Sequence, residues 1–164
     1  MLSNGDKPDH IEHREDFREM FKPLAEESGQ FTVEISYDRE SFCDLSGFDA
    51  VVLYISRGKL TPEQENGLMD FVRGGEGLLA VHTSNVQLAK YKGYIEMIGS
   101  DFKGHGPLEN FDVDVVDDAD GIMPGLNKRF QVMDEFYNLK ICTNAPLRPF
   151  YMERKIPKGN CWAT

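Results

Sequence analysis

A histidine and a serine directly follow an apolar segment that has the composition of a buried strand. His82 and Ser84 come after residues 77–81, and open α/β sheets bind their ligands at the carboxyl ends of such strands. A histidine there can act as an acid or a base, whereas a core position would leave its second ring nitrogen in need of a partner. We therefore predict a catalytic role for His82. Ser84 lacks the flanking glycines of a Gly-x-Ser-x-Gly nucleophile elbow, so we predict binding rather than serine hydrolysis.

A second set of titratable residues lies further along the chain. His105 stands in Lys-Gly-His-Gly-Pro, which predicts a loop. Its glycines let the backbone approach a ligand closely, although any surface turn uses the same residues. Asp134 and Glu135 stand between Met133 and Phe136. Apolar surroundings can raise a carboxyl pKa into the range of acid/base catalysis. The alternative is that the adjacent acids alternate outward and one of them caps a turn. We predict a catalytic Glu135, with His105 and Asp134 as binding residues.

Aromatic residues and an early histidine pair complete the candidates. Tyr137 and Trp162 could stack on a ligand ring, with Tyr137 as a candidate binding residue, but aromatic residues more often belong to a core. His10 and His13 continue an apolar helical stripe backward, so His10 is a candidate binding residue at the end of the sheet. The alternative is a polar first turn or a partly buried core histidine. We predict no metal site, since a metal would need a third ligand.

The elements that must position these residues form a β–α–β unit. Residues 50–55 are a continuous apolar run, which predicts a strand buried on both faces, and residues 77–81 predict a second such strand. Between them, Thr61, Pro62 and Gln64 match a capping box that begins a helix over residues 61–73. The two strands are therefore predicted to be parallel neighbours, with His82 at their carboxyl edge.

Weaker patterns predict the remaining elements. A helix starting near Pro8 has an apolar stripe of Phe17, Met20, Phe21 and Leu24. Alternation predicts an edge strand over residues 31–35, peripheral strands around residues 111–116 and 130–132, and a last strand over residues 150–155. Residues 85–99 predict a helix broken at Lys92-Gly93 and closed by Gly99.

Four segments in order resemble the trehalose-utilisation (ThuA-like) family of the class I glutamine amidotransferase-like superfamily. They are Ser-Arg-Gly-Lys-Leu-Thr-Pro-Glu-Gln-Glu (residues 56–65), Phe-Val-Arg-Gly-Gly-Glu-Gly-Leu-Leu-Ala-Val-His (71–82), Tyr-Ile-Glu-Met-Ile-Gly-Ser-Asp-Phe-Lys-Gly-His (94–105) and Met-Asp-Glu-Phe-Tyr (133–137). The resemblance implies a single flavodoxin-like, three-layer α/β domain over residues 1–164 with a mainly parallel central sheet. It also implies that both ends are trimmed, with only residues 1–3 left of the family's first strand.

The resemblance implies a role in carbohydrate metabolism on trehalose or a keto-sugar. Related amidotransferases carry a nucleophilic cysteine where this chain has His82, and an imidazole there cannot form the thioester of glutamine hydrolysis. We expect His82, His105, Asp134, Glu135 and Tyr137 to converge on one crevice. Whether the protein is an enzyme stays open, with a non-catalytic sugar-binding or interaction module and a metal-dependent hydrolase as alternatives.

Composition limits the partners. Eighteen basic and twenty-eight acidic residues give a net charge of −10, which opposes binding to nucleic acid or anionic membranes and tolerates a neutral sugar. No membrane-spanning segment or signal peptide is visible, so we expect a soluble, cytoplasmic protein with a small-molecule sugar as its partner and no cofactor. Three scattered cysteines do not suggest a disulfide framework. The oligomeric state stays open.

Overall fold

The computed structural model describes residues 2–4, 8–55, 58–88, 90–115, 125, 127–142 and 152–153. Their elements are β1 (Leu2–Asn4), α1 (Pro8–Ser28), a 3₁₀ helix (Arg39–Cys43), β2 (Ala50–Ile55), α2 (Pro62–Gly74), β3 (Gly77–Ala80), α3 (Ser84–Gln87), α4 (Lys92–Ile98), β4 (Ser100–Val115), β5 (Arg129–Ile141) and β6 (Met152–Glu153). The chain forms two compact units, Met1–Phe102 and Lys103–Thr164. The single domain expected over residues 1–164 stays a prediction.

A parallel sheet in the order β1-β2-β3 forms the centre of the first unit. Ala50 pairs with Gly77 and Leu53 with Ala80, which confirms the predicted parallel neighbours. On the other side, Leu2 pairs with Leu53 and Asn4 with Ile55. The short segment at residues 2–4 therefore does take a strand position beside β2.

Helix α2 begins and ends as its sequence predicts. The Thr61 hydroxyl accepts the Gln64 N–H at 3.3 Å, and the Gln64 side chain accepts the Thr61 N–H at 3.0 Å, which completes the capping box. At the other end, Gly75 has φ 112°, a left-handed conformation that glycine adopts without steric cost. Leu68 and Phe71 bury the inner face of the helix, so the predicted stripe is confirmed there.

The core of this unit surrounds β2 and α2. Leu53, Ile55, Leu68, Leu88 and Tyr94 are almost completely buried together with Phe42 of the 3₁₀ helix. Burying a side chain of this size contributes about 1.5–3 kcal/mol relative to leaving it in water. The β–α–β unit and the 3₁₀ helix packed on it therefore carry most of the apolar burial that the structure describes.

Three predictions for the first unit were wrong in part. Residues 31–35 do not form a strand, and Ser36 is an isolated bridge residue. In the α1 stripe, Met20 and Leu24 are exposed while Phe17 and Phe21 are half-buried. Strand β3 is not buried on both faces, because Leu79 is 53% exposed; β3 is the outer strand of the described sheet, so the coverage expected for a central parallel strand is missing.

The segment after β3 is helical but broken earlier than predicted. Helix α3 ends at Gln87 and α4 starts at Lys92, so the break lies before the predicted Lys92-Gly93 position. Gly99 ends α4 with φ 76°, as expected for a glycine C-cap.

The second unit is built on a long hairpin rather than on short peripheral strands. Strand β4 lies between β5 and β6. The Val115 N–H donates to the Lys128 carbonyl at 2.9 Å, and Asp114 contacts Arg129 while His105 contacts Tyr137, so β4 and β5 run antiparallel. Strand β6 pairs antiparallel with β4 and lies inside the predicted last strand, residues 150–155.

Two expected properties of the chain can be compared with the described part. None of the helices in the described residues is long and apolar enough to cross a membrane. Cys43 and Cys142 are free thiols, Cys43 exposed and Cys142 half-buried, whereas Cys161 lies outside the described residues.

Candidate functional site

His82 occupies a strained turn at the end of β3. Its φ is 49°, and within the described ranges it is the residue other than glycine with a positive φ. A left-handed conformation costs a non-glycine residue on the order of 1 kcal/mol, and such strain is concentrated at functional sites. The ring is exposed and meets Tyr54 edge-on, with ring centroids 6.0 Å apart.

The chain leaves the sheet abruptly on either side of His82. The Val81 N–H still donates to the Leu53 carbonyl at 2.9 Å, which continues the ladder one residue past β3. The next amides already turn back, since Ser84 donates to Val81 and Asn85 donates to the His82 carbonyl, both at 3.2 Å. His82 thus stands at a tight turn between β3 and α3, the kind of strand–turn–helix position that nucleophile elbows occupy in α/β hydrolases.

Ser84 is buried within the first unit. It is 0% exposed, its hydroxyl donates to the Leu53 carbonyl at 2.9 Å and accepts the Ile55 N–H at 2.9 Å. The hydroxyl thus ties the first turn of α3 to β2. A ligand could reach it only by replacing both bonds, so the contacts give Ser84 a structural role.

His105 and Glu135 lie on neighbouring strands of the hairpin. His105 is in β4 rather than in the predicted loop, and Glu135 is in β5. The His105 Nδ1 lies 2.8 Å from the Gly106 carbonyl oxygen and 3.5 Å from the Glu135 Oε1. Since a carbonyl only accepts, Nδ1 carries the proton in the neutral ring, which makes Nε2 its basic nitrogen.

Tyr137 adds an aromatic ring to this pair. Its ring stacks on the His105 imidazole, with centroids 5.8 Å apart and planes 27° from parallel. Residues 135 and 137 point to the same face of β5 because side chains alternate along a strand. The structure therefore brings three predicted site residues together: His105, Glu135 and Tyr137.

The surroundings of the two acids differ from the prediction. Met133 is 64% exposed, and Asp134 is exposed as well, so the apolar setting expected for the carboxylates is absent on that side. The Asp134 carboxylate accepts the Glu135 backbone N–H at 2.7 Å. Phe136 packs edge-on against Phe111, with centroids 5.6 Å apart, on the other side of the hairpin from Glu135. Glu135 itself is half-buried, and its carboxylate lies 3.5 Å from the His105 Nδ1.

The remaining candidates lie apart from the described cluster. His10 lies in helix α1, but its side chain is outside the described part of the structure. Trp162 lies outside the described residues altogether. His82 belongs to the first unit and the His105 cluster to the second, and their predicted convergence stays a prediction. Among the described residues, no group of three or more His, Cys, Asp or Glu side chains could hold a metal ion.

Sequence reasoning passed over two polar residues beside His82. The Thr83 hydroxyl and the Asn85 side-chain oxygen are buried without a hydrogen-bond partner in the described part of the chain. Buried polar atoms normally have a partner, so both are candidates for contact with a ligand. The available signal was their position, since polar residues directly after a buried strand stand where α/β sheets bind ligands.

Together, the parallel β–α–β unit and the antiparallel hairpin define a mixed α/β protein. The sequence pattern of the family ThuA, trehalose utilisation, matches residues 4–149. The chain therefore belongs to the ThuA trehalose-utilisation family.

Solved structures of ThuA-like proteins share the fold. One from Bacteroides uniformis ATCC 8492 superimposes with a TM-score of 0.72 at 16% identity, covering 84% of this chain and 58% of that one. One from Parabacteroides merdae ATCC 43184 gives 0.67 at 16% identity, covering 85% and 62%. This chain thus spans about three fifths of the length of these two proteins. No curated protein matches the sequence.

Proposed function

We propose that the protein binds or transforms a neutral sugar, trehalose or a keto-sugar, in carbohydrate metabolism. The observation that carries the proposal is the cluster of His105, Glu135 and Tyr137, in which an acid, an imidazole and an aromatic ring adjoin one another. The family to which the chain belongs supports the substrate class. A flavodoxin-like arrangement of the whole sheet and a cytoplasmic location are part of the same proposal.

In this proposal, His105 exchanges the proton with the sugar. The Gly106 carbonyl and the Glu135 carboxylate both lie near Nδ1, so Nε2 of the neutral ring accepts a proton from a sugar hydroxyl. The imidazolium that forms is stabilised by the adjacent carboxylate, as in other base–orienter pairs. A correctly placed acid/base group accelerates a reaction by on the order of 100-fold or more.

Tyr137 supplies the apolar platform in the same cluster. Sugar rings present C–H groups on their faces, and an aromatic ring offers an apolar face with a polar end. Tyr137 is half-buried and already held against His105.

His82 keeps its proposed catalytic role as a separate hypothesis. Its strained, exposed position at a strand end supports that role. Cysteine chemistry is not proposed, because the residue at this turn is an imidazole and cannot form a thioester.

A non-catalytic sugar-binding module is the second candidate. The observation in its favour is exposure, since the His105 and Glu135 side chains are 44% and 36% accessible. Catalytic sites usually exclude water to strengthen their electrostatic interactions. A binding surface has no such requirement.

Titration with trehalose and with its keto derivatives, followed by product analysis, distinguishes the two. For an enzyme, we expect His105→Ala to lower kcat by on the order of 100-fold with little change in KM. Glu135→Gln should lower kcat less and change its pH profile, because Glu135 orients the imidazole. Asp112→Asn, an exposed acid on β4, is the matched control and should leave both constants unchanged.

Three results would count against sugar chemistry at the His105 cluster, each for a different reason. Sugar binding without product, weakened by Tyr137→Ala and His105→Ala alike, supports the binding module. If the wild-type protein binds none of these sugars, the proposed substrate class is wrong. If His82→Ala abolishes turnover while the hairpin variants do not, the chemistry belongs to the first unit.

A further inference from the structure

The loop after β2 is anchored by residues that follow α3. The Leu60 N–H donates to the Tyr91 hydroxyl at 2.7 Å, and that hydroxyl donates to the Leu60 carbonyl at 3.1 Å. The Lys90 ammonium group donates to the Gly58 carbonyl at 3.3 Å. Because the loop leaves the carboxyl end of a parallel strand, it lies at the edge of the sheet where α/β proteins bind ligands.

Gly58 brings a second cation to the same loop. Its φ is 99°, a conformation that favours glycine, and a Cβ at this position would overlap the guanidinium group of Arg39. Arg39 belongs to the 3₁₀ helix and is half-buried. The guanidinium can lie this close to the loop backbone because residue 58 has no side chain. Arg39 and Lys90, from separate segments of the chain, therefore both lie against Gly58.

These positive charges lie in an acidic chain. The net charge is −10, yet Lys59, an exposed residue of the loop, adds a third cation beside Arg39 and Lys90. Like charges that the fold gathers in one place repel one another. A bound anion would therefore stabilise this arrangement, and the local positive potential would attract it.

The two acids beside Arg39 in the sequence are bonded to other groups. The Asp38 carboxylate accepts the Glu40 N–H at 3.0 Å, which caps the 3₁₀ helix. The Glu40 carboxylate accepts the Gln64 side-chain N–H at 2.6 Å. An anion at the loop would therefore not have to displace either of these bonds.

We propose that this cationic cluster, Arg39, Lys59 and Lys90 around Gly58, binds a phosphate group, either free or carried by a sugar. A guanidinium offers five N–H donors in a planar fork that matches phosphate oxygens, so Arg39 can serve an anion and a second partner at once. Lysine binds phosphate as a point charge. Several cations suit a doubly charged phosphate better than a singly charged carboxylate.

The phosphate site is independent of the neutral-sugar proposal. All of its residues belong to the first unit, whereas His105, Glu135 and Tyr137 belong to the second. The two proposals are therefore tested on different residues, and the failure of one leaves the other intact.

The test is an NMR titration of the whole protein with inorganic phosphate at low ionic strength. We expect saturable shifts of the amide signals of residues 58–60 and 90–91, and no such shifts with sodium chloride at the same ionic strength. Glucose 6-phosphate, with glucose as its neutral control, forms the second arm. Tighter binding of glucose 6-phosphate than of inorganic phosphate assigns the site to a sugar phosphate, and equal binding assigns it to free phosphate.

Charge variants locate the bound phosphate. Lys90→Gln keeps a donor for the Gly58 carbonyl but removes the charge, and we expect it to weaken phosphate binding about tenfold or more. Lys92→Gln is the matched control, because this lysine lies two residues further along and its side chain is 90% exposed. It should leave the phosphate affinity unchanged.

Glycine variants test the position of Arg39 without changing any charge. Gly58→Ala adds a Cβ where the Arg39 guanidinium lies, so it should displace the guanidinium and weaken phosphate binding. Gly29→Ala is the control, because Gly29 also has a positive φ, 61°, but no atom stands in the way of a Cβ there. It should leave binding intact.

Four results would overturn the proposal. Phosphate binding that does not saturate, equal shifts with chloride, or equal weakening by Lys92→Gln and Lys90→Gln would each do so. The fourth is a Lys90→Gln variant with a lowered Tm and an unchanged phosphate affinity, because Lys90 then only anchors the loop. Should Gly58→Ala fail to fold, the comparison of the two lysine variants still decides.

Discussion

The β2–α2–β3 unit buries most of its large apolar residues, whereas the β4–β5 hairpin leaves several of its own in water. In the first, Leu53, Ile55 and Leu68 are almost fully buried. In the second, Leu108 and Met133 are 65% and 64% exposed. The hairpin nevertheless holds His105 and Glu135, the described pair best suited to acid/base chemistry. The main apolar core and this acid/base pair therefore lie in different parts of the chain.

The physical reason lies in the two kinds of strand pairing. Parallel strands are joined by helices that pack on the sheet, so their side chains become buried. An antiparallel hairpin can leave one face in water, and polar side chains at alternate positions stay accessible to a ligand. The capping box of α2 reinforces the first region, whereas the hairpin relies on cross-strand pairs such as Arg129–Asp114.

The largest expected change in stability tests this difference between the two regions directly. Leu53→Asp places an unpaired charge at a 0% exposed position, so we expect the free energy of unfolding to fall by ~3 kcal/mol or more. Leu108→Asp makes the same chemical change on the exposed hairpin and should change it by about 0.5 kcal/mol or less. Denaturant unfolding of both variants measures the difference. Equal losses of unfolding free energy in the two variants would contradict this difference between the two regions.

A smaller effect is expected at Ser84. Ser84→Ala leaves the Leu53 carbonyl and the Ile55 N–H without their side-chain partner, which should cost about 1–3 kcal/mol. Ser46→Ala, at an exposed serine, is the matched control and should change stability little. Loss of sugar affinity with unchanged stability would instead return Ser84 to the binding residues that its sequence position predicts.

The smallest effect concerns Tyr94. Burial raises the pKa of its hydroxyl well above the usual value near 10, and no hydrogen-bond partner is described for the oxygen. Because the folded-state pKa is raised, the neutral form favours folding, and stability falls as pH rises above about 10. Tyr94→Phe should stay within about 1 kcal/mol of the wild type at neutral pH and lose less stability at pH 11. If Tyr94→Phe and the wild type lose the same stability between pH 7 and pH 11, ionisation of Tyr94 does not contribute to alkaline unfolding.

Local signals in the sequence predicted much of the first region. The apolar run at residues 50–55, the capping box at Thr61 and the glycines that follow α2 each depend on neighbours within one turn or one strand. These features fixed two parallel strands and the helix between them, and they placed His82 at a strand end. The resemblance added the family, which the match over residues 4–149 confirms.

The same signals were misleading where distant partners decide the outcome. Residues 31–35 alternate like a strand, but a strand exists only when another backbone pairs with it, and within the described residues these positions belong to no strand. Glycines on both sides of His105 predicted a loop, yet residues 100–115 form one strand because β5 and β6 pair with it. Pairing between residues far apart in the chain cannot be predicted from a short stretch of sequence.

The candidate site shows the same difference between what the sequence predicts and what the tertiary structure decides. The sequence by itself determined which residues could do chemistry, since His82, His105, Glu135 and Tyr137 were selected from residue type and position. Only the tertiary structure decided that His105 meets Glu135 and Tyr137 across two strands. It also decided that the buried Ser84 hydroxyl makes two hydrogen bonds to the backbone of β2. The reason is that strand register sets which side chains are neighbours, and register depends on pairing across many residues of chain.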